Sequence, residues 1–438
     1  MSDEWRTLSL REAKVSLIDC DHRTPPACDS GYPYVAIPQL KEGRLDLSDA
    51  RRIAPAHYLE WTRKARPAPH DVILSRRCNP GETAVVPADL ECALGQNLVL
   101  LRADGREVFP PFLRWLVRGP EWWEQVEKFI NVGAVFDSLK CADVPNFRLR
   151  IPPLREQRPI ACVLAALDDK IELNRRMNET LEAISRAIFK SWFVDFDPVR
   201  AKMEGRWRCG QSLPGLPADL NDLFPDTFED SPLGKIPKGW QAGTLADFAL
   251  LNPESWSRYT CPDTINYIDL SNTKQGRIET RTVYFKDDAP SRAQRILRPQ
   301  DTIVGTVRPG NASYAFISED RLTGSTGFAV LRPRRIEYAE FVYLAATAAQ
   351  NIETLAHLAD GGAYPAVRPE AVVSTQVVRM DDEALAHFSA LVGPFLAKIA
   401  QNERESGTLA KIRDALLPKL LSGEIRAVET ERPLVAAP

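Results

Sequence analysis

The chain has 438 residues, 44% of them hydrophobic and 26% charged, with a formal net charge of −3 and an isoelectric point near 6.1. That balance belongs to a folded protein of roughly three domains, and it excludes a protein that coats nucleic acid indiscriminately. The charged start Met1 to Lys14 lacks the apolar core of a signal peptide, and no run approaches the ~18 apolar residues of a membrane span, so a soluble, cytoplasmic protein without a membrane partner is expected.

Residues 1–150 read as a first globular unit. Short β-like runs, Tyr34-Val-Ala-Ile, Val72-Ile-Leu, Asn97-Leu-Val-Leu-Leu and Phe147-Arg-Leu-Arg-Ile, alternate with turn signals. A helical pattern from Pro111 to Ile130 carries Trp115, Trp122, Trp123 and Phe129, placed as core aromatics by their spacing. Pro152-Pro153 ends the last strand and permits a helix to begin. Residues 151–204 form a helical region. Residues 205–239, rich in proline and glycine, read as a linker, and 240–380 as a second globular unit with runs at Tyr267, Thr302, Ala329 and Thr375. A second helical region spans 381–425, and residues 426–438 form a tail, frayed from Val428 on.

The chain is written twice. Tyr34-Val-Ala-Ile-Pro-Gln-Leu-Lys-Glu-Gly43-Arg-Leu-Asp returns 233 positions later as Tyr267-Ile-Asp-Leu-Ser-Asn-Thr-Lys-Gln-Gly276-Arg-Ile-Glu. Asp71-Val-Ile-Leu followed by Pro80-Gly81 returns as Asp301-Thr-Ile-Val followed by Pro309-Gly310, and Val132-Gly-Ala-Val135 as Gly361-Gly-Ala-Tyr364. The helical regions repeat as well. Ile160, Leu164, Leu167, Ile171, Asn174, Asn178, Leu181 and Ile188 match Phe388, Val392, Phe395, Ile399, Asn402, Ser406, Leu409 and Leu416 at a single offset of 228. Their four-three spacing is that of a coiled-coil seam, and an asparagine in such a seam fixes register at a cost in stability. The expected fold is therefore α+β: two similar globular domains separated by two long helices that pair as an antiparallel coiled coil, with a pseudo-twofold internal repeat. The alternative is that each helix packs only on its own domain. Gly393-Pro394 and Gly407 predict a kinked or shorter second helix.

Chemistry is missing. There is no phosphate-binding loop, no dinucleotide fingerprint, no Asn/Asp-Pro-Pro-Tyr/Phe tetrapeptide and no nucleophile elbow, so no catalytic residue is assigned. The eight cysteines form no CxxC pair, and Cys20-Asp-His22 with Cys28 fits no common zinc spacing; reduced thiols and no metal are expected. Basic clusters at Arg51-Arg52, Arg63 to Arg66, Arg76-Arg77 and Arg292 to Arg308 read singly as solvated surface.

Ile151-Pro-Pro-Leu-Arg-Glu-Gln-Arg-Pro-Ile-Ala, Leu164-Ala-Ala-Leu-Asp-Asp-Lys-Ile-Glu-Leu-Asn174, Asn178-Glu-Thr-Leu-Glu and Ile188-Phe-Lys-Ser-Trp-Phe-Val-Asp-Phe196 closely resemble the central helical region of the DNA-specificity (S) subunit of type I restriction-modification enzymes. Ser231-Pro-Leu-Gly-Lys-Ile-Pro-Lys-Gly-Trp240 and Leu416-Leu-Pro-Lys-Leu-Leu-Ser-Gly-Glu-Ile425 are similar to the same family. The resemblance implies a non-catalytic subunit with two target-recognition domains, each reading one half of a split, asymmetric site on double-stranded DNA, and helices that set the gap. It implies two methyltransferase (M) subunits docked on the helical regions and two restriction (R) subunits completing the complex. S-adenosylmethionine, ATP and Mg2+ are implied on those partners and no cofactor on this chain. The competing reading is an oligomerisation scaffold or adaptor without sequence-specific DNA binding.

Arginine suits guanine edges, and asparagine or glutamine suits adenine edges. Loops near strand ends offer such residues: Gln39, Lys41, Arg76, Arg77, Asn79, Gln96 and Asn97 in the first unit, and Asn272, Lys274, Arg308, Asn311, Ser325 and Thr326 in the second. Arg76 and Arg308 read as equivalents before a Pro-Gly turn. Trp192, Phe193 and Phe196 form an apolar cluster at a helix end that suits M-subunit docking or, equally, a cap on the central core.

Overall fold

The computed structural model describes residues 4–427 except 134–135, 214–215, 258, 361 and 363–364. The third repeated tract falls partly, and the 428–438 tail wholly, outside the described residues. The chain divides into two compact units, Met1–Leu173 with Glu405–Pro438, and Asn174–Arg404. Each unit thus takes half of each long helix.

In the first unit, Leu98–Ala103 is a buried apolar run flanked by partners on both sides. The sheet order is Val15–Asp19, Leu98–Ala103, Val72–Ser75, Thr83–Val85, all antiparallel. A second sheet holds Arg51–Ile53, Tyr32–Val35 and Ala93–Leu94, the last pair parallel. The second unit repeats this plan. Ala249–Leu251, Phe328–Pro333, Thr302–Gly305 and Tyr314–Phe316 form the antiparallel sheet. Thr282–Phe285, Thr264–Ile268, Leu322–Ser325 and Ala293–Leu297 form the mixed one, again with one parallel pair. In both units the last strand pairs with an early one, Arg148–Ile151 with Arg6–Ser9 and Gln376–Arg379 with Gln241–Thr244. Each last strand runs on into a long helix.

The repeat extends to buried polar pairs. Asp71 caps the amide of Ala68 at 2.8 Å and accepts from Arg102 Nε at 2.8 Å; Asp301 caps Arg298 at 2.8 Å and accepts from Arg332 Nε at 2.9 Å. Both carboxylates are buried, and a charge so placed needs such a partner. Each pair locks the strand that leads to a turn discussed below.

The long helices are Leu154–Phe193, 40 residues, and Asp382–Ser422, 41 residues. The second is therefore not the shorter. One reason is local: a Cβ at Gly393 would stand 3.0 Å from the Glu340 carboxylate, so the glycine makes room for a buried side chain. The helices pair antiparallel. In the first unit Arg413 Nη1 donates to Asp168 at 2.7 Å and Lys170 pairs with Glu405 at 3.4 Å. In the second, Asn402 Nδ2 donates to Asn178 Oδ1 at 2.8 Å, and Asn174 Nδ2 lies 3.4 Å from the Asn402 carbonyl.

The seam shifts by one residue at matching places. Asp168 and Leu396 are buried, while Leu167 and Phe395 are only half-buried. Ile160 and Leu164 belong to the first unit's core with Phe112, Trp115 and the helix-end residues Leu417, Leu420 and Leu421. Phe388 and Val392 belong to the second unit's core. Ile171, Leu181, Ile188, Ile399, Leu409 and Leu416 are half-buried. The outer turns thus follow the 3.6-residue period of helices packed on their own domain, and the asparagine layer marks the helix-on-helix stretch.

Trp192, Phe193 and Phe196 are 1%, 5% and 8% exposed, so they offer no docking surface. Trp192 packs edge-on to Phe224 at 5.1 Å and Phe193 to Phe388 at 4.9 Å. This corrects the docking expectation in favour of the core cap. The 205–239 stretch is anchored at points: Trp207, Leu220, Phe224 and Ile236 are buried in the same core, and Phe228–Ser231 pairs with Gly234–Pro237. Aromatic content outweighs the loop-like proline and glycine. Trp115 and Trp122 are buried, whereas Trp123, the next residue around the helix Pro120–Phe129 and so about 100° off the buried face, is 37% exposed.

Candidate nucleic-acid interface

The two tracts that repeat most closely build the same object. After the strand ending at Val35 or Ile268 comes a 3-10 turn, Ile37–Gln39 or Leu270–Asn272. A tight hairpin follows, Leu40–Lys41 with Arg44–Leu45 or Thr273–Lys274 with Arg277–Ile278. Its turn requires left-handed backbone twice, at Glu42 (φ 49) and Gly43 (φ 83), and at Gln275 (φ 47) and Gly276 (φ 87). Glycine supplies the second of these without steric cost. Each hairpin lies along a sheet edge: Val85 N donates to Gly43 O at 3.1 Å, and Gly276 N to Tyr314 O at 2.8 Å.

Lys41 and Lys274 are exposed at the hairpin, Lys41 paired with Asp46 at 2.7 Å. Gln39 is half-buried, and its Oε1 accepts from Ala36 N at 3.0 Å, which is turn chemistry. Asn272 is also half-buried.

A second group gathers at the sheet end. Arg76 N donates to Asn97 O at 2.9 Å, setting the Arg76–Asn79 turn beside Gln96 and Asn97; Arg77, Asn79 and Gln96 are exposed. In the second unit Thr306 N donates to Gly327 O at 2.8 Å, bringing Arg308 and Asn311, both exposed, near half-buried Thr326. Gln275 N donates to Ala312 O at 2.8 Å, so the Asn272 and Lys274 hairpin adjoins the Arg308 to Asn311 turn.

Two expectations are corrected here. Ser325 is 0% exposed, because it closes the Leu322–Ser325 strand and its hydroxyl accepts from Gly327 N at 3.2 Å. Arg76 and Arg308 are not equivalents. Leu139 N donates to Arg76 O as Val367 N does to Thr306 O, each at 2.9 Å, so Arg76 matches Thr306. Arg308 matches Cys78 instead, both left-handed with φ 48 and φ 65. The arginine clusters are partly neutralised: Arg66 pairs with Glu91 at 2.7 Å and Arg298 with Glu254 at 3.2 Å.

Sequence reasoning missed one cluster. Asp168, 0% exposed, meets Arg114, Arg413 and Arg44, which places these side chains together inside the first unit. Burial pushes the Asp168 carboxyl up, but Arg114, Arg44 and Arg413 outweigh it and hold the group below the ordinary carboxylate range. Burial lowers the Arg114 guanidinium to about 10, with Asp168 opposing. The repeat marks the arginine position, Gly43-Arg44 returning as Gly276-Arg277, but not the carboxylate that Arg44 meets.

The ligand atoms of Asp19, Cys20 and His22 lie within 4.8 Å of one another. Burial pushes the Cys20 thiol up to about 11, and its Sγ donates to Gly95 O at 3.2 Å, so this sulfur acts as a protonated donor. Among the described residues no helix is long and apolar enough to cross a membrane.

Residues 26–183 match the family described as the type I restriction modification DNA specificity domain. The chain is 25% identical over 400 residues to the HindI specificity subunit of a type I restriction enzyme from Haemophilus influenzae, covering 81% of this chain and 86% of that protein. It is 25% identical over 367 residues to the MjaIX specificity subunit from Methanocaldococcus jannaschii, covering 82% and 78%. Its fold is similar to the crystal structure of a type I restriction-modification S subunit from M. genitalium, with a TM-score of 0.53, 16% identity and 96% of each chain covered.

Proposed function

We propose, from its similarity to type I restriction-modification specificity subunits, that each of its units reads one half of a split DNA site. The chain supplies sequence specificity and is not itself the enzyme. The observation that carries the reading is the repeated hairpin and sheet-end turn, built on one backbone plan but tipped with different polar residues. Both hairpins carry a lysine, Lys41 or Lys274, but at the turn Arg76, Arg77 and Cys78 stand, by strand register, where the second unit offers Thr306, Val307 and Arg308. Same scaffold with different tips is what reading two unlike sequences in similar geometry requires. Phosphate contacts would hold register, and base-edge contacts would specify. The antiparallel helices, locked in register by Asn174, Asn178 and Asn402, would set the unspecified gap.

Methyltransferase and restriction subunits assemble with the chain, two of each in this proposal, and bring S-adenosylmethionine, ATP and Mg2+ chemistry with them. Supporting a partner present in two copies, exposed apolar side chains recur on the two helices at the repeat offset: Ile184 is 41% and Ile412 43% exposed. The described cysteines are free, which fits a reducing cytoplasm. The test is retention of DNA by the complex reconstituted with M subunits. Preference for duplexes carrying one bipartite sequence is expected. Full subunit assembly with equal retention of all duplexes would replace this reading by a scaffold.

A further inference from the structure

We propose that Arg44 is a positioning residue that clamps the first reading hairpin onto the long helix through Asp168, and so fixes where the first half-site is read. The proposal rests on the hairpin being a DNA-contacting element, and it adds which residue holds it. Arg44 follows the tight turn directly. Its Nη1 donates to Glu172 Oε2 at 3.1 Å, and its Nη2 donates to the Asp168 backbone carbonyl and lies 3.5 Å from Asp168 Oδ2. Asp168 in turn receives Arg114 from the helix Pro110–Leu116 and Arg413, at 2.7 Å, from the second long helix. One buried carboxylate therefore ties four elements of the first unit: hairpin, domain helix and both long helices.

The seat is close-fitting. Gly43 is left-handed (φ 83), and a Cβ there would stand 2.6 Å from Arg118 Nη1, so a larger residue would strain the turn and displace that guanidinium. A guanidinium is a planar fork, and its bonds fix direction as well as distance. Lys41, three residues before Arg44, is exposed on the clamped hairpin. Among the described residues, the second hairpin has no such clamp. Arg277 reaches Glu179 at 3.5 Å with side chains 48% and 54% exposed, at the rim of a cavity of about 100 Å³ lined by Glu182, Glu403 and Tyr343. An exposed pair of that kind contributes little. The two hairpins thus share an arginine at one position, and only the first is held rigidly by it.

The experiment compares the wild-type complex with complexes carrying Arg44→Ala, Arg44→Lys, Glu172→Gln or Arg277→Ala. Binding is measured to the cognate duplex and to duplexes singly substituted across both half-sites, beside thermal melting. For Arg44→Ala, discrimination within one half-site falls roughly five- to hundredfold, the range that one bidentate base contact supplies. The other half-site is unchanged, and melting shows the assembled complex intact. Arg44→Lys restores part of the loss, and Arg277→Ala changes neither half-site by more than about threefold. Unchanged discrimination in Arg44→Ala, or equal loss in both half-sites, overturns the clamp. Should that variant fail to assemble, Glu172→Gln leaves Asp168 untouched and decides the matter: a smaller loss confined to the same half-site supports the clamp, and none overturns it. A wild-type complex with no sequence preference would instead overturn the DNA-reading function itself.

Discussion

Replacing Asn402 by leucine separates what the asparagine layer contributes to stability from what it contributes to register. Asn402 is 0% exposed, and its Nδ2 donates to Asn178 Oδ1 at 2.8 Å. The 3.4 Å contact from Asn174 Nδ2 goes to the Asn402 backbone carbonyl and survives any side-chain change. The single variant loses one hydrogen bond and leaves the Asn178 oxygen without its donor, at a cost of about 2–4 kcal/mol. Burying a leucine offsets about 1.5–3 kcal/mol of that. The net lies between a gain of about 1 and a loss of about 2.5 kcal/mol. Replacing Asn178 by leucine as well removes the stranded acceptor, so the double variant should be more stable than either single one. It should also lose the register signal, because apolar seams tolerate several alignments. The assays are denaturant unfolding of the assembled complex and mapping of methylated sites. The double variant is expected to unfold last of the three and to modify sites with more than one gap length. A double variant less stable than both singles, or one that keeps a single gap, would refute the reasoning.

Inserting seven residues into both helices, between 173 and 174 and between 404 and 405, adds roughly 10 Å of helix. The gap between half-sites should then grow by about three base pairs, and an active variant with an unchanged gap would sink the ruler. Arg308→Ala should either cost about 1–3 kcal/mol at one position of one half-site or lower the salt slope by about one unit, depending on whether it meets a base or a phosphate. A salt titration with neither change would leave Arg308 as ordinary surface. Glu340 is buried with Oε2 unpaired, and burial raises its pKa despite Ser389. A carboxyl raised on folding destabilises progressively as pH climbs from its unfolded pKa, about 4.3, toward the folded value. Glu340→Gln should therefore raise the melting temperature at pH 8 and do little at pH 4; equal effects at both pH values would contradict the buried-carboxyl account.

The duplication, the strands near Val72, Leu98 and Thr302, and the long helices were legible because each rests on a local period. The asparagine layer was legible because polar residues interrupt an apolar seam. The arginine cluster was not. Amphipathic reading assigns the buried slot to Leu167, and only the tertiary packing of Arg44, Arg114 and Arg413 makes Asp168 the better occupant. Trp192 and Phe193 looked surplus to the helix seam because the residues that cover them, Phe224 and Phe388, lie far along the chain. The mismatch of Arg76 with Arg308 has a plain cause: pairing them needs an offset of 232 (308 − 76), whereas strand hydrogen bonding sets 230 (306 − 76), so the two arginines agree in residue type and not in register. Ser325 ends the strand Leu322–Ser325, whose four residues are all buried and which lies between two partner strands, a placement that the local tract does not disclose.

The most direct test of the account is to exchange residues 1–150 for the corresponding unit of a similar specificity subunit and to map methylated bases in cells carrying the chimera. One half of the modified sequence should change to that of the donor while the other half and the gap stay as they were. A chimera that is active but alters both halves, or neither, would contradict the claim that each unit reads its own half-site.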